Sequence, residues 1–243
     1  MKFVVEPERF KKFLSMVLMC KGNKPLLEST VVEFNEKGAL AQDCSLDVVA
    51  VYGAFSQKYF LEYSAKDTEK VPLTKTLLEP LGNGFKDEKI EVTADENNIV
   101  IKGKTETYNE PLIDAEPSQL PFTMTNTEVG VVPEKLPERA KVQVLLDASE
   151  LDLPSAEKIT FVSDEDKLNV IIKNVGEYTK TFKVKRKLKL EPHKIAFDGS
   201  YFATLVGNLD GEVWLTLTDA ALALCKKTKD YALTYLLSCL EEA

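Results

Sequence analysis

One histidine, four scattered cysteines and one short acidic run are the side chains of this 243-residue sequence that invite a catalytic reading. His193 follows Pro192 at the start of an apolar run, with no partner in a recognisable motif, and reads as structural. Asp164-Glu165-Asp166 has ligand types suited to a hard cation, but it falls between two apolar runs, where acidic residues serve a hairpin turn. Gly82-Asn83-Gly84 lacks the Lys-Ser/Thr of a phosphate loop and reads as a helix stop. No Ser or Cys occupies a nucleophile motif. Cys20, Cys44, Cys225 and Cys239 form no Cys-x-x-Cys pair and lie in apolar segments, as reduced thiols do. The chain reads as a non-enzyme, with no metal or cofactor called for.

The remaining chemistry is cationic. In the predicted helix Pro7–Cys20, Phe10, Phe13, Leu14, Val17 and Leu18 form an apolar stripe at helical spacing. Lys11 and Lys12 lie off that stripe, and Lys75 holds a comparable place in a second predicted helix. Lys183, Lys185, Lys187 and Lys189 alternate with Phe182, Val184, Leu188 and Leu190, which puts four lysines on one face of a predicted strand. A nucleic-acid stripe and a solvated outer sheet face both fit that run. The formal net charge is -8, with 31 Lys plus Arg against 39 Asp plus Glu, so a uniformly exposed surface would repel nucleic acid.

The elements that must carry these residues are written in repeats. Glu88-Lys89-Ile90 to Asp95-Glu96 recurs as Glu157-Lys158-Ile159 to Asp164-Glu165. Each copy runs into a second apolar stretch ending in lysine, Ile99–Lys102 and Val170–Lys173. That is a strand, a turn and a strand, twice over. Before each copy stands a short strand and a helical turn: Val71–Leu73 with Thr74–Leu81, and Val142–Leu146 with Asp147–Leu153. Thr74 and Asp147 are the expected N-caps. The chain's two ends repeat the order. Met1–Glu6 is a strand and Pro7–Cys20 a helix, with strands Leu26–Glu36 and Ala39–Val51 after them. Lys194–Asp198 is a strand, Gly199–Leu209 a helix, and Val213–Asp219 with Ala221–Lys226 a hairpin. The sequence therefore predicts four strand–helix–strand–strand units.

An apolar content of 44% with 29% charged residues supports a real core. No apolar run approaches the roughly 18 residues of a membrane helix. The opening Met1–Glu6 turns polar too soon for a secretory leader, so an intracellular protein is expected. From Asp114 to about Ala140 the strand rhythm lapses and Pro117, Pro121, Pro133 and Pro137 accumulate, which reads as a connector. The expected organisation is a first domain over 1–114, a connector over 115–140 and a second domain over 141–243, each domain holding two of the four units.

This order of elements resembles that of DNA sliding clamps, most nearly the proliferating cell nuclear antigen family of archaea and eukaryotes, with tailed-phage clamps close behind. The residues that carry the resemblance are Glu36 to Val48, Pro111-Leu112-Ile113-Asp114, Leu120-Pro121-Phe122 and the closing strand Tyr231–Leu240. The chain departs from the family in its Ser238-Cys239-Leu240-Glu241 ending, where Ala-Pro and a basic residue are usual. It departs again in a third helix that is short and acidic. The resemblance is to a divergent archaeal or viral member.

The resemblance implies an α+β clamp fold: two similar domains, helices lining the hole of a trimeric ring and antiparallel sheets outside. It implies a homotrimer around double-stranded DNA, in the cytoplasm or nucleoid, or in a host cell if viral. Its partners would be a DNA polymerase, a clamp-loader ATPase and other proteins carrying a short glutamine-aromatic motif. Lys11, Lys12 and Lys75, with Lys21, Arg139 and Lys141, would face DNA. Thr105 and Tyr108, with Tyr178, Thr179 and Phe182, would lie at subunit boundaries, on edges running over 105–112 and 175–184. Val48, Ala50, Leu120, Pro121, Phe122, Leu237, Ser238, Cys239 and Leu240 would form the groove for the partner motif, unless Phe122 plugs the adjacent domain. The competing class is a clamp-like scaffold, checkpoint-type clamp or viral structural protein, which needs neither basic helices nor a groove.

Overall fold

The two copies of the Glu-Lys-Ile motif fold into the same object. In the computed structural model, which describes residues 1–22, 24–45, 48–83, 85–173 and 176–240, each is a hairpin closed by an aspartate. The Asp95 carboxylate accepts the backbone N–H groups of Asn97 and Asn98, both at 2.8 Å. Asp164 accepts those of Asp166 and Lys167, at 2.8 and 2.7 Å. These donations hold both carboxyls below the usual aspartate range. Asp164-Glu165-Asp166 is thus a turn, as its place between strands requires.

The chain forms two compact units. The first comprises Met1–Cys44, Val51–Leu120 and Thr228–Ala232; the second comprises Ser45–Ala50, Pro121–Lys227 and Leu233–Ala243. In the first, one antiparallel sheet runs in the order Thr107–Pro111, Asn98–Lys102, Ile90–Ala94, Lys2–Val5, Glu62–Ser64. Its second sheet runs Glu69–Thr74, Ser29–Asn35, Gly38–Ser45 and then most of Val49–Ser56. In the second unit one sheet orders Glu177–Thr181, Leu168–Lys173, Lys158–Ser163, His193–Asp198. The other orders Arg186–Leu190, Val142–Asp147, Glu212–Leu217, Ala221–Lys227 and the Leu233–Ser238 part of the closing strand.

The helix Pro7–Val17 buries the stripe that its spacing predicts: Phe10, Phe13, Leu14 and Val17 are fully buried. Phe3 packs edge-on to Phe10 at 5.5 Å between ring centroids, and Phe13 to Phe55 at 4.7 Å. Asp230 and Tyr231, from late in the chain, complete this core. Arg9 Nη2 reaches Asp230 at 3.2 Å, and Tyr231 stacks on Phe55 at 5.6 Å. The second unit has its own aromatic centre, Phe161 against Phe182, Phe197 and Phe202.

Several sequence expectations are corrected. The first helix ends at Val17 rather than Cys20, because Met19 takes a left-handed φ of 52° and turns the chain into the short hairpin Cys20–Lys21 and Lys24–Pro25. Ala39–Val51 is not one strand but two, Gly38–Ser45 and Val49–Ser56; Leu46 and Asp47 lie outside the described residues. Thr74 does not cap its helical turn. Its hydroxyl donates to the Glu110 carboxylate instead, whereas Asp147 does cap, accepting from Ser149 N at 3.2 Å. The last helix stops at Val206, and the third is the single turn Ala148–Leu151.

The proline-rich stretch is not bare connector. Met124–Thr127 and Gly130–Pro133 form a hairpin, and Leu136–Arg139 a helical turn. Val129, Val132 and Leu136 pack on Ala223 and Cys225. Their apolar positions are too few and too broken by proline for periodicity to register. The lysine run is also not one strand. Residues 182–185 lie in no strand, and Arg186–Leu190 pairs with Val142–Asp147 across a bulge.

One glycine is fixed by close approach. Gly38 has φ 134°, and a Cβ built there would sit 1.9 Å from the Phe55 carbonyl oxygen. Gly38→Ala should destabilise the first unit by about 2–4 kcal/mol, from strain plus overpacking, read as a lower urea midpoint. An unchanged midpoint would show that the two strands can separate there at no cost.

Candidate functional surfaces

Of the predicted phosphate-contacting residues, four lie in the first unit. Lys12 is exposed on the helix Pro7–Val17, and Lys11 is half-exposed there. Lys11 leans towards the second helix, its Nζ 3.5 Å from where a Cβ on Gly82 would stand. Lys21 is exposed on the short hairpin. Lys75 is exposed on the turn Lys75–Leu77, but its Nζ is already 2.5 Å from Glu28. Arg139 and Lys141 belong to the second unit and sit on none of the four repeat helices. Arg139 ends the turn beneath the hairpin, and Lys141 leads into the strand Val142–Asp147 with Glu191 at 4.0 Å. The second unit's own repeat helices carry no base: Ala148–Leu151 holds Glu150, and Gly199–Val206 has no charged residue.

Two five-residue strands end their sheets with a row of free backbone groups, one in each unit. Phe182 N–H donates to Leu168 O at 2.9 Å. Antiparallel ladders alternate, so the N–H groups of Tyr178 and Lys180 also face inwards and those of Glu177, Thr179 and Thr181 point away. In the first unit Leu112 N–H donates to Asn97 O at 2.7 Å and Gly103 N–H to Glu106 O at 2.9 Å. Thr107 and Asn109 therefore point outwards. Pro111, which has no N–H, takes the next outward place, where nothing in the ladder misses it.

Of the predicted boundary residues, Thr179 is exposed and Tyr178 is 40% exposed. Tyr108 is half-buried and donates to Glu110 at 2.8 Å. Thr105 precedes the strand, in its turn, and the Phe182 ring is buried against Phe161 at 5.9 Å, next to the exposed edge. Val175, at the start of the predicted second edge, lies outside the described residues.

The predicted groove residues divide in the same way. In the second unit Ser238 N–H donates to Val48 O at 2.8 Å, Cys239 N–H to Ala220 O at 2.9 Å and Leu240 N–H to Ala196 O at 2.9 Å. Val48, Phe122 and Cys239 are half-buried, while Pro121, Ser238 and Leu240 are exposed. Ala50 and Leu237 are corrected: both are buried in the core, so neither side chain is offered to a ligand. Leu120 belongs to the first unit, where it lines a cavity of about 410 Å³ with Glu33, Gln42, Lys70 and residues 116–119. That cavity went unread in the sequence because its walls come from three strands and a connector, with no common spacing. His193 is structural: Nε2 lies 3.0 Å from Thr218 O. None of the four cysteines is in a disulfide. Among the described residues no His, Cys, Asp or Glu cluster could hold a metal, and no helix is long and apolar enough to cross a membrane.

Solved structures share this arrangement from end to end. The PCNA2–PCNA3 complex of Sulfolobus tokodaii matches with 15% identity over 100% of both chains and a TM-score of 0.78. The A. fulgidus PCNA bound to the C-terminal region of FEN-1 matches with 14% identity over 100% of this chain and 99% of that one, at 0.77. The Entamoeba histolytica proliferating cellular nuclear antigen matches with 15% identity over 98% of each chain, at 0.78. This is the PCNA clamp fold. The clamp fold accounts for the fourfold order of strand, helix, strand and strand. No protein-family model and no curated protein matches the sequence, as expected where the fold persists at 14–15% identity.

Proposed function

We propose that the chain is a sliding clamp: three copies close into a ring around duplex DNA and tether a polymerase and other replication or repair proteins to it. What supports this is the pair of open edge strands, one per unit, on a chain with this fold. Pairing each Thr107–Pro111 edge with a Glu177–Thr181 edge of the next copy satisfies both rows of backbone groups and covers those two edges. Lysines that touch phosphates hold DNA without reading it, which is what sliding needs. The partner motif would lie against Val48, Phe122, Cys239 and Leu240 of the second unit. Light scattering tests the ring: a mass near three times 27.2 kDa is expected, and a clean monomer overturns it. Topology tests the DNA: once loaded, the protein should stay on nicked circular DNA and run off when that DNA is cut.

The DNA surface is tested by changing Lys11, Lys12 and Lys75 together to Ala. Retention on DNA should weaken, and the log–log salt slope should flatten by about one unit per lost phosphate contact. Lys75 should contribute least, since Glu28 already holds it. An unchanged salt slope would remove these lysines from the DNA surface.

A further inference from the structure

Strand register carries the repeat out to the two edge strands, residue by residue. Ile99–Lys102 of the first unit corresponds to Val170–Lys173 of the second. Ile101 pairs with Tyr108, and its counterpart Ile172 pairs with Tyr178. Ile99 pairs with Glu110, and its counterpart Val170 pairs with Lys180. The repeat therefore keeps one tyrosine and, two residues on, reverses one charge. Ile99, Ile101, Val170 and Ile172 are all buried, so the residues paired with them lie on the core face of each sheet.

Both charges are tied to the helical turn of their own unit. The Glu110 carboxylate accepts hydroxyl bonds from Thr74, from Thr76 at 2.6 Å and from Tyr108 at 2.8 Å. Among the described residues no cation pairs with it. Lys180 Nζ donates to Glu150 O at 2.6 Å and lies 3.3 Å from the Glu150 carboxylate. An ammonium has three N–H donors, so one is left over. The surrounding residues follow the same signs. Over 105–112 the chain carries Glu106 and Glu110 and no base. Over 175–184 it carries Lys180 and Lys183 against Glu177, and Lys173 already holds Glu177 at 3.5 Å.

We propose that Glu110 and Lys180 decide which edges meet: the first edge of one copy takes the second edge of the next, and neither takes its own kind. The inference rests on the ring proposed above and names what orients its seam. In an antiparallel seam, Tyr108 and Glu110 come opposite or diagonal to Tyr178 and Lys180 on the core face. Direct neighbours there stand about 4.5–5.5 Å apart at Cβ. The carboxylate that lacks a cation in its own chain gains one from the next. A first edge on a first edge brings two carboxylates together, and a second on a second brings two ammonium groups together. Such self-complementary contacts close two copies and stop, whereas head-to-tail contacts build a ring. Like charges disfavour the pair, and opposite charges favour the ring.

The test reverses each sign on the whole chain, singly and together, and reads mass by light scattering across a dilution series. Glu110→Lys and Lys180→Glu should each raise the dissociation concentration at least about tenfold. The double variant exchanges the two signs and should return to within about threefold of the unaltered protein. It regains nothing with Thr74, Thr76 or Glu150, so its melting temperature should stay as low as that of the lower single variant. A merely structural role would give no rescue of assembly. If a reversed chain fails to fold, Glu110→Gln and Lys180→Met replace the reversals, and their two losses should fall short of adding. A double variant no tighter than the singles, or full additivity of the neutral pair, overturns the pairing and leaves the ring standing. An unaltered protein that is a monomer overturns both.

Discussion

Thr179→Pro should convert the proposed three-copy ring into monomers at low micromolar concentration while the fold survives. The Thr179 N–H points away from its own sheet, so proline there removes no intrachain ladder bond. In the proposed seam it removes a donor, strands a carbonyl on the neighbouring copy and pushes its ring into that strand. A buried unsatisfied carbonyl alone costs about 1–3 kcal/mol, and a closed ring meets that cost at each of its seams. Lys180→Pro is the contrast, because that N–H faces Leu168–Lys173 and its loss should lower the melting temperature. Light scattering across a dilution series reads the outcome. A Thr179→Pro protein that stays trimeric on dilution would place the seam elsewhere.

Phe122→Ala combined with Leu240→Ala should weaken a peptide carrying glutamine, an apolar residue and two aromatics by at least tenfold. Pocket anchors of this kind cost about 2 kcal/mol or more when truncated. Neither side chain is in the core. Leu240 is 37% exposed and Phe122 is half-buried, so the melting temperature should barely move. Calorimetry with the peptide gives the affinity. Equal affinity in the double variant would remove the proposed groove, and a collapse in melting temperature would mean these side chains hold the connector down instead.

What the sequence made legible was order and repetition. The doubled Glu-Lys-Ile motif, the Asp95 and Asp164 turns and the stripe of Phe10, Phe13, Leu14 and Val17 all sit where local physics puts them. What it hid depends on distant partners. Thr74 is a good cap by type, but Glu110, 36 residues on, takes its hydroxyl. Phe182 lies beside an exposed edge in sequence, yet Phe161 draws it inwards. Lys183 to Lys189 alternate as a strand should, but the bulge opposite Gln143 and Val144 breaks the face. The proposed groove was legible only in part, since alternation tells which side Ala50 and Leu237 take only once the covered side is known.

Neither half of this chain is a folding unit. The first unit needs Thr228–Ala232, whose Asp230 holds Arg9 and whose Tyr231 lies on Phe55, and the second borrows Ser45–Ala50 from near the start. During synthesis the aromatic cluster around Phe13 must therefore wait, partly open, while the segment between Leu120 and Thr228 is made. That interval is on the order of ten seconds. Until the last strand arrives, Phe55 and Tyr59 lack their Tyr231 cover, so the newborn chain should expose these rings over a window set by the ribosome rather than by its own folding rate.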